Sequence, residues 1–128
     1  MTENSVITKT RRRKFALASS DAAYPLPAIT HIAFGDGGVD GDGEPLSPTA
    51  EQTALHHELY RYAVDSISYP EDTTVRYSVT IPKDEHTGDS ISKAALIDSD
   101  GDLCAIKNMY AKRKDAGTAF TFEFDDEF

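Results

Sequence analysis

Residues 74–82, TVRYSVTIP, alternate without a break: Val75, Tyr77, Val79 and Ile81 fall on one side, Arg76, Ser78 and Thr80 on the other. Period two belongs to an extended chain whose successive side chains point to opposite faces, so the stretch reads as a half-buried β-strand. The same period runs through LYRYAVDSISY (59–69), with Pro70-Glu71-Asp72 expected as the turn between the two. Further strands are expected at ITHIAF (29–34), apolar enough for burial on both faces, at ISKAALID (91–98) and at LCAIKNMY (103–110). The closing TAFTFEFDDEF places Phe120, Phe122 and Phe124 on one face. Ser99-Asp100-Gly101-Asp102 reads as a tight hairpin, because Asp-Gly accepts the positive φ angles such turns need.

Helix signals are few. KTRRRKFALAS (9–19) lacks Gly and Pro, and Thr8 or Thr10 is available as its N-cap. Its charge predicts Lys and Arg stems lying along a surface with their heads in water. Tyr24-Pro25-Leu26-Pro27 forbids helix and forces an extended crossing. SPTAEQTAL (47–55) predicts one or two helical turns, with Ser47 or Thr49 as cap and Glu51 or Gln52 just downstream. The expected organisation is a loose or strand-like lead-in over 1–8 and a single domain over 9–128. Its class is α+β, mainly β: an antiparallel sheet or sandwich of five to six strands with a short N-terminal helix.

Composition narrows the function. At 128 residues, 39% apolar and 27% charged, with six Tyr and six Phe, the chain is suited to one folded core. The single cysteine, Cys104, excludes an internal disulfide and a thiolate cluster, and its apolar neighbours predict a buried structural thiol. No apolar run approaches the roughly 20 residues that span a bilayer, and the N-terminus has no signal-peptide core. A soluble protein made in a cytoplasm is expected, leaving it only within a larger particle. The net charge is −9, yet residues 1–20 hold Lys9, Arg11, Arg12, Arg13 and Lys14 against Glu3 alone. The rest is strongly acidic and repels nucleic acid and anionic lipid, so neither is an expected partner. Basic head and acidic tail are expected to pair, within one molecule or between copies.

Two acidic loops invite a metal reading. From Asp36, an EF-hand pattern finds Asp40 and Gly41 in place, but Gly38 and Ser47 stand where ligands are required. From Asp98, Asp100 and Asp102 fit, yet Leu103 occupies the glycine position. Neither loop is an EF-hand, and Asp36, Asp40, Asp98, Asp100 and Asp102 remain only weak candidates for Ca²⁺. No Lys-Ser or Lys-Thr follows the glycines, so they do not form a phosphate loop. His56 and His57 are adjacent and diverge, HHELYR lacks the second His of a zinc helix, and His31 reads as a hydrogen-bonded, half-buried residue. No catalytic set and no cofactor motif is apparent.

A succession of motifs carries more. ITHIAFGDGG is followed by a polar link with prolines, then TALHHELYRYAVDSIS, TVRYSVTIP and ISKAALIDSDGDLCAI. The order and spacing resemble the N-terminal domain of phage tail-collar fibre proteins. That family shows "ITHIALGxGG", "TxLxNExYR" and "GLFDxDGNLIAV" in turn. Ile29 to Gly35 match the first, Thr53, Leu55, Glu58, Tyr60 and Arg61 the second, and Ala95 to Asp98 with Asp100 to Leu103 the third, Ala95 replacing the usual Gly. The resemblance spans about residues 9–124. It implies a non-catalytic structural protein of a phage or prophage tail, an adaptor at the baseplate–fibre junction that by analogy forms a homotrimer. Its implied location is the virion tail, after assembly in the host bacterial cytoplasm. Relatives continue into a shaft and a receptor-binding tip, so no distal tip is expected within these 128 residues. Arg11, Arg12, Arg13 and Lys14 are the expected docking residues. The rival expectation is a small calcium-dependent module, for glycans, using the 36–44 and 98–102 loops.

Overall fold

The computed structural model describes residues 4–128. Eight strands and one helix follow in order: β1 (Ser5–Ile7), α1 (Lys9–Ser20), β2 (Ile29–Gly35), β3 (Glu58–Ala63), β4 (Ser66–Glu71), β5 (Thr74–Ile81), β6 (Ser90–Asp98), β7 (Leu103–Arg113) and β8 (Phe120–Glu127). They form two antiparallel sheets, β1-β7-β6-β2-β3 and β4-β5-β8. The expected mainly-β antiparallel architecture is what is found, as a sandwich.

The core between the sheets follows from the alternations. Ile32 and Phe34 of β2 and Ala94 and Leu96 of β6 meet Tyr77, Val79 and Ile81 of β5 and Phe122 and Phe124 of β8. Phe34 and Phe122 make an edge-to-face contact across the layers, 5.3 Å between centroids. The five-stranded sheet is buried on its other side too, where Ala33, Ala95, Ile97, Leu103 and Ile106 pack with Leu55. β2 is therefore apolar on both faces because both are covered.

The strand count exceeds five to six for two reasons. Ser5–Ile7 adds an edge strand by pairing with Ala105–Lys107. The run 59–69 is not one strand but two, which belong to different sheets. The chain changes sheets at Val64 and Asp65: the Val64 amide donates to Thr30 O of β2, and the next amide, Asp65, donates to Ser78 O of β5. The expected turn at Pro70 to Asp72 is displaced accordingly. Pro70 and Glu71 are in β4, and Asp72-Thr73 makes a two-residue turn, with Glu71 opposite Thr74.

Residues 47–55 hold no helix, only one turn at Ala50 and Glu51 in otherwise irregular chain. Gln52 does reach back, its Oε1 accepting from the Thr49 amide at 3.2 Å, but Pro45 and Pro48 and the burial of Leu55 hold the segment extended over the sheet. No helix among the described residues is long and apolar enough to cross a membrane.

Candidate functional site

Helix α1 begins where Thr8 is fixed to the sheet. Its hydroxyl accepts from the Arg11 amide at 3.3 Å and donates to Leu103 O at 2.7 Å, while its amide donates to Cys104 O at 3.0 Å. The N-cap is Thr8 rather than Thr10. With that end pinned, the helical period decides which residues face the body: Arg11 is buried, and Lys14, Phe15 and Ala18 are half-buried. Lys9, Arg12 and Arg13 point to solvent.

The expectation that all the basic heads stay wet is corrected at Arg11. Its guanidinium meets the fully buried Asp126 of β8, Nη1 donating to Oδ1 at 2.8 Å and Nη2 lying 2.8 Å from Oδ2. Burial opposes the positive charge, but the Asp126 carboxylate outweighs it and raises the Arg11 pKa. Phe15 and Phe128 flank the guanidinium at 5.1 and 5.4 Å. The basic head and acidic tail thus pair within one molecule.

Lys14 reaches the turn between β6 and β7. Its Nζ donates to Asp98, Asp102 and Asp100 at 2.6, 2.8 and 3.1 Å. Asp98 also organises the turn, its Oδ1 accepting from the amides of Asp100 and Asp102 at 3.0 Å each, with Gly101 at φ +84°. The three carboxylates have the spacing of a cation site, and the lysine ammonium sits among them in the place a cation would take. Burial alone would raise the Asp98 pKa, but Lys14, the turn amide of Asp102 and the Cys104 thiol hold it below the ordinary carboxylate range. Burial would likewise lower Lys14, and the three acids hold it well above the usual lysine value.

A depressed folded pKa stabilises above the unfolded value, about 3.9 for Asp, and that contribution is lost as pH falls through the folded value. Asp98→Asn is therefore expected to lower the melting temperature at neutral pH. The gap to the parent should close as both are acidified below about pH 4. Melting curves from pH 7 to pH 2 check this, and a gap that stays constant would remove Asp98 as the acid-sensitive group.

Asp36 and Asp40 are not gathered with a third ligand among the described residues. Asp40 closes its own loop, Oδ1 accepting from the amides of Asp42 and Glu44 at 2.8 and 3.1 Å. Asp36 lies 3.8 Å from His57 Nδ1. Lys93 is not among the candidate site residues that the sequence singles out. It is buried, donates to His56 O at 3.2 Å, and is lowered in pKa by burial against a partial opposing effect of Asp36. Its alternation within ISKAALID marks it as inward-facing, and that was its only signal. Cys104 is buried as expected, with burial foremost and Asp98 besides pushing its thiol up to about 12. His31 is half-buried, its Nδ1 2.9 Å from Thr30 Oγ1.

Comparison with known proteins adds identity to this geometry. The family model for the N-terminal part of phage tail-collar fibre proteins matches residues 1–121. A probable tail fiber protein of Escherichia phage P2 is 33% identical over 114 residues, covering 88% of this chain and 16% of that protein. The chain thus spans less than a fifth of the length of that relative. No solved structure matches.

Proposed function

The chain belongs to the phage tail-collar fibre proteins, matching the N-terminal part of that family, and on that premise we propose that it is a non-catalytic adaptor at the baseplate–fibre junction of a phage tail. The observation that carries this reading is the division of labour along α1. Arg11 and Lys14 fasten the helix to the sandwich, while Arg12 and Arg13 are left as an exposed cationic face on a body of net charge −9. A helix held at two points presents its outer face without rearrangement, which favours binding by preformed shape. The docking set expected from sequence, Arg11 to Lys14, thereby reduces to Arg12 and Arg13. Cys104, buried with a raised pKa, is unsuited to nucleophilic work. The partners are other tail proteins, with a homotrimer as the assembly and the virion tail as the location after synthesis in the bacterial cytoplasm.

The test is incorporation into tail particles. Arg12→Glu/Arg13→Glu is expected to melt like the parent, because neither side chain is buried, yet to be depleted from purified tails. Parental incorporation of that variant would overturn the docking face. The calcium-binding alternative meets an obstacle in Lys14, whose ammonium already sits among the Asp98, Asp100 and Asp102 carboxylates where a cation would have to go. Millimolar Ca²⁺ is expected to leave the melting temperature unmoved, and a clear rise would favour the alternative.

A further inference from the structure

Four strand edges are free among the described residues: β1 and β3 bound the larger sheet, β4 and β8 the smaller. An edge strand offers unpaired amides and carbonyls to any extended chain, and folded proteins blunt such edges by brevity, charge or proline. β1 is only three residues long, β3 carries Glu58 and Arg61, and β8 carries Glu123, Asp125 and Glu127. β4 has no charge or proline from Ser66 to Tyr69; Pro70, Glu71 and an irregular register between Ser68 and Glu71 close only its far end. Every residue of β4 is exposed, with Ile67 at 51% and Tyr69 at 73%. Both line a groove of about 320 Å³ whose walls include Leu26 and Phe128, themselves exposed apolar residues. Four exposed apolar side chains, Leu26, Ile67, Tyr69 and Phe128, thus meet beside the Ser66–Tyr69 edge.

We propose that β4 is a docking edge for an extended segment of another protein, with apolar alternate side chains and basic residues at its ends. Backbone pairing along Ser66–Tyr69 supplies the ladder, Pro70 limits its length, and the groove takes the apolar side chains. The charge of the ends follows from what stands at the two ends of β4: Asp65 before it, Glu71 as its last residue and Asp72 after it, with no Lys or Arg between Tyr62 and Val75. The same charges disfavour a second copy. An antiparallel pair that sets Ile67 opposite Tyr69 of the copy also sets Asp65 opposite Glu71, twice by symmetry, and like charges directly opposed are destabilising. Two bodies of net charge −9 repel besides. The proposal rests on the adaptor reading only for the origin of the segment, another tail component.

The probe is the peptide Lys-Val-Thr-Val-Thr-Val-Lys, compared with its Glu-ended counterpart, titrated into the isotopically labelled protein. The basic-ended peptide is expected to shift the backbone amides of Ile67 to Tyr69 saturably. The acidic-ended one should bind about tenfold more weakly or worse. Ile67→Lys, an exposed change expected to leave the melting temperature in place, should abolish the shifts. Equal affinities for the two peptides, or shifts that map away from β4, would overturn the proposal. A self-association seen by sedimentation and lost in Ile67→Lys would also overturn it, giving the edge to a second copy. Incorporation of Arg12→Glu/Arg13→Glu into tails reads the adaptor function independently, so the two failures are distinguishable.

Discussion

Gly38→Ala is expected to cost roughly 3 kcal/mol or more and to lower the melting temperature by about 10 °C, while Gly41→Ala in the same loop stays within about 0.5 kcal/mol of neutral. The difference is a matter of distance. A Cβ on Gly38 would stand 2.2 Å from Ser92 O and 2.8 Å from Ser92 C, both backbone atoms of a buried central strand. One on Gly41 meets nothing within 4 Å. Gly38 cannot retreat either, since its amide donates to Ser92 Oγ at 2.8 Å and its carbonyl accepts from the Leu46 amide at 2.8 Å. Gly35 is under a similar constraint, with His57 O at 2.7 Å from its would-be Cβ. The glycines of GDGG are therefore a steric requirement of a loop lying flat on β6 and against residue 57. Urea and thermal unfolding of the two variants decide the matter, and equal stabilities would mean that the loop relaxes freely and Gly38 has no packing role.

That loop shows what can be read without coordinates. The Asp-Gly alternation marks it as a turn region. What the pattern cannot reveal is which glycine touches something, because contact with Ser92 depends on a strand more than fifty positions away. Residue 57 is a partial exception. The family pattern TxLxNExYR carries Asn there, a residue tolerant of left-handed backbone, and His57 indeed has φ +61°. The strands over 74–81, 91–98 and 120–127 were legible because one or both faces are buried and the alternation is undisturbed. The sheet change at Val64 and Asp65 was not, since it uses neither Gly nor Pro. Asp65 alone marks it, accepting from the Thr80 amide at 2.7 Å to cover the exposed corner. The sense of α1 was recoverable in part: Arg11, Lys14, Phe15 and Ala18 share a face at helical spacing. Reading that face as charged and hence solvated concealed that two of its members are internal cations. Their acids lie 84 and 115 positions along the chain, beyond any local pattern.

Arg11→Met is expected to destabilise the protein by about 3–5 kcal/mol, because it leaves the Asp126 carboxylate buried without its counter-charge. The two side chains are 6% and 0% exposed, so water cannot take over the missing partner without opening the sandwich where α1 meets β8. Methionine keeps an unbranched apolar stem of similar reach while removing the guanidinium that lies between Phe15 and Phe128, which confines the change largely to the charged head. The double variant Arg11→Met/Asp126→Leu removes both charges and is expected to recover most of the loss, since a buried ion pair is often matched by apolar groups of similar volume. The coupling from the double-mutant cycle, with Asp126→Leu as the other single variant, then measures the pair itself; should Arg11→Met alone fail to fold, recovery of a folded, cooperative transition in the double variant still identifies the lost counter-charge as the cause. A single-variant cost below about 1 kcal/mol, the range of exposed pairs, would show that Asp126 reaches solvent. The same cycle bears on the helix's outer face. If the pair holds α1 in place, Arg11→Met should deplete the protein from tails along with Arg12→Glu/Arg13→Glu, and the double variant should restore incorporation while leaving Arg12 and Arg13 untouched. Recovery of stability without recovery of incorporation would mean that the Arg11 charge itself, and not only the position it gives the helix, contributes to docking.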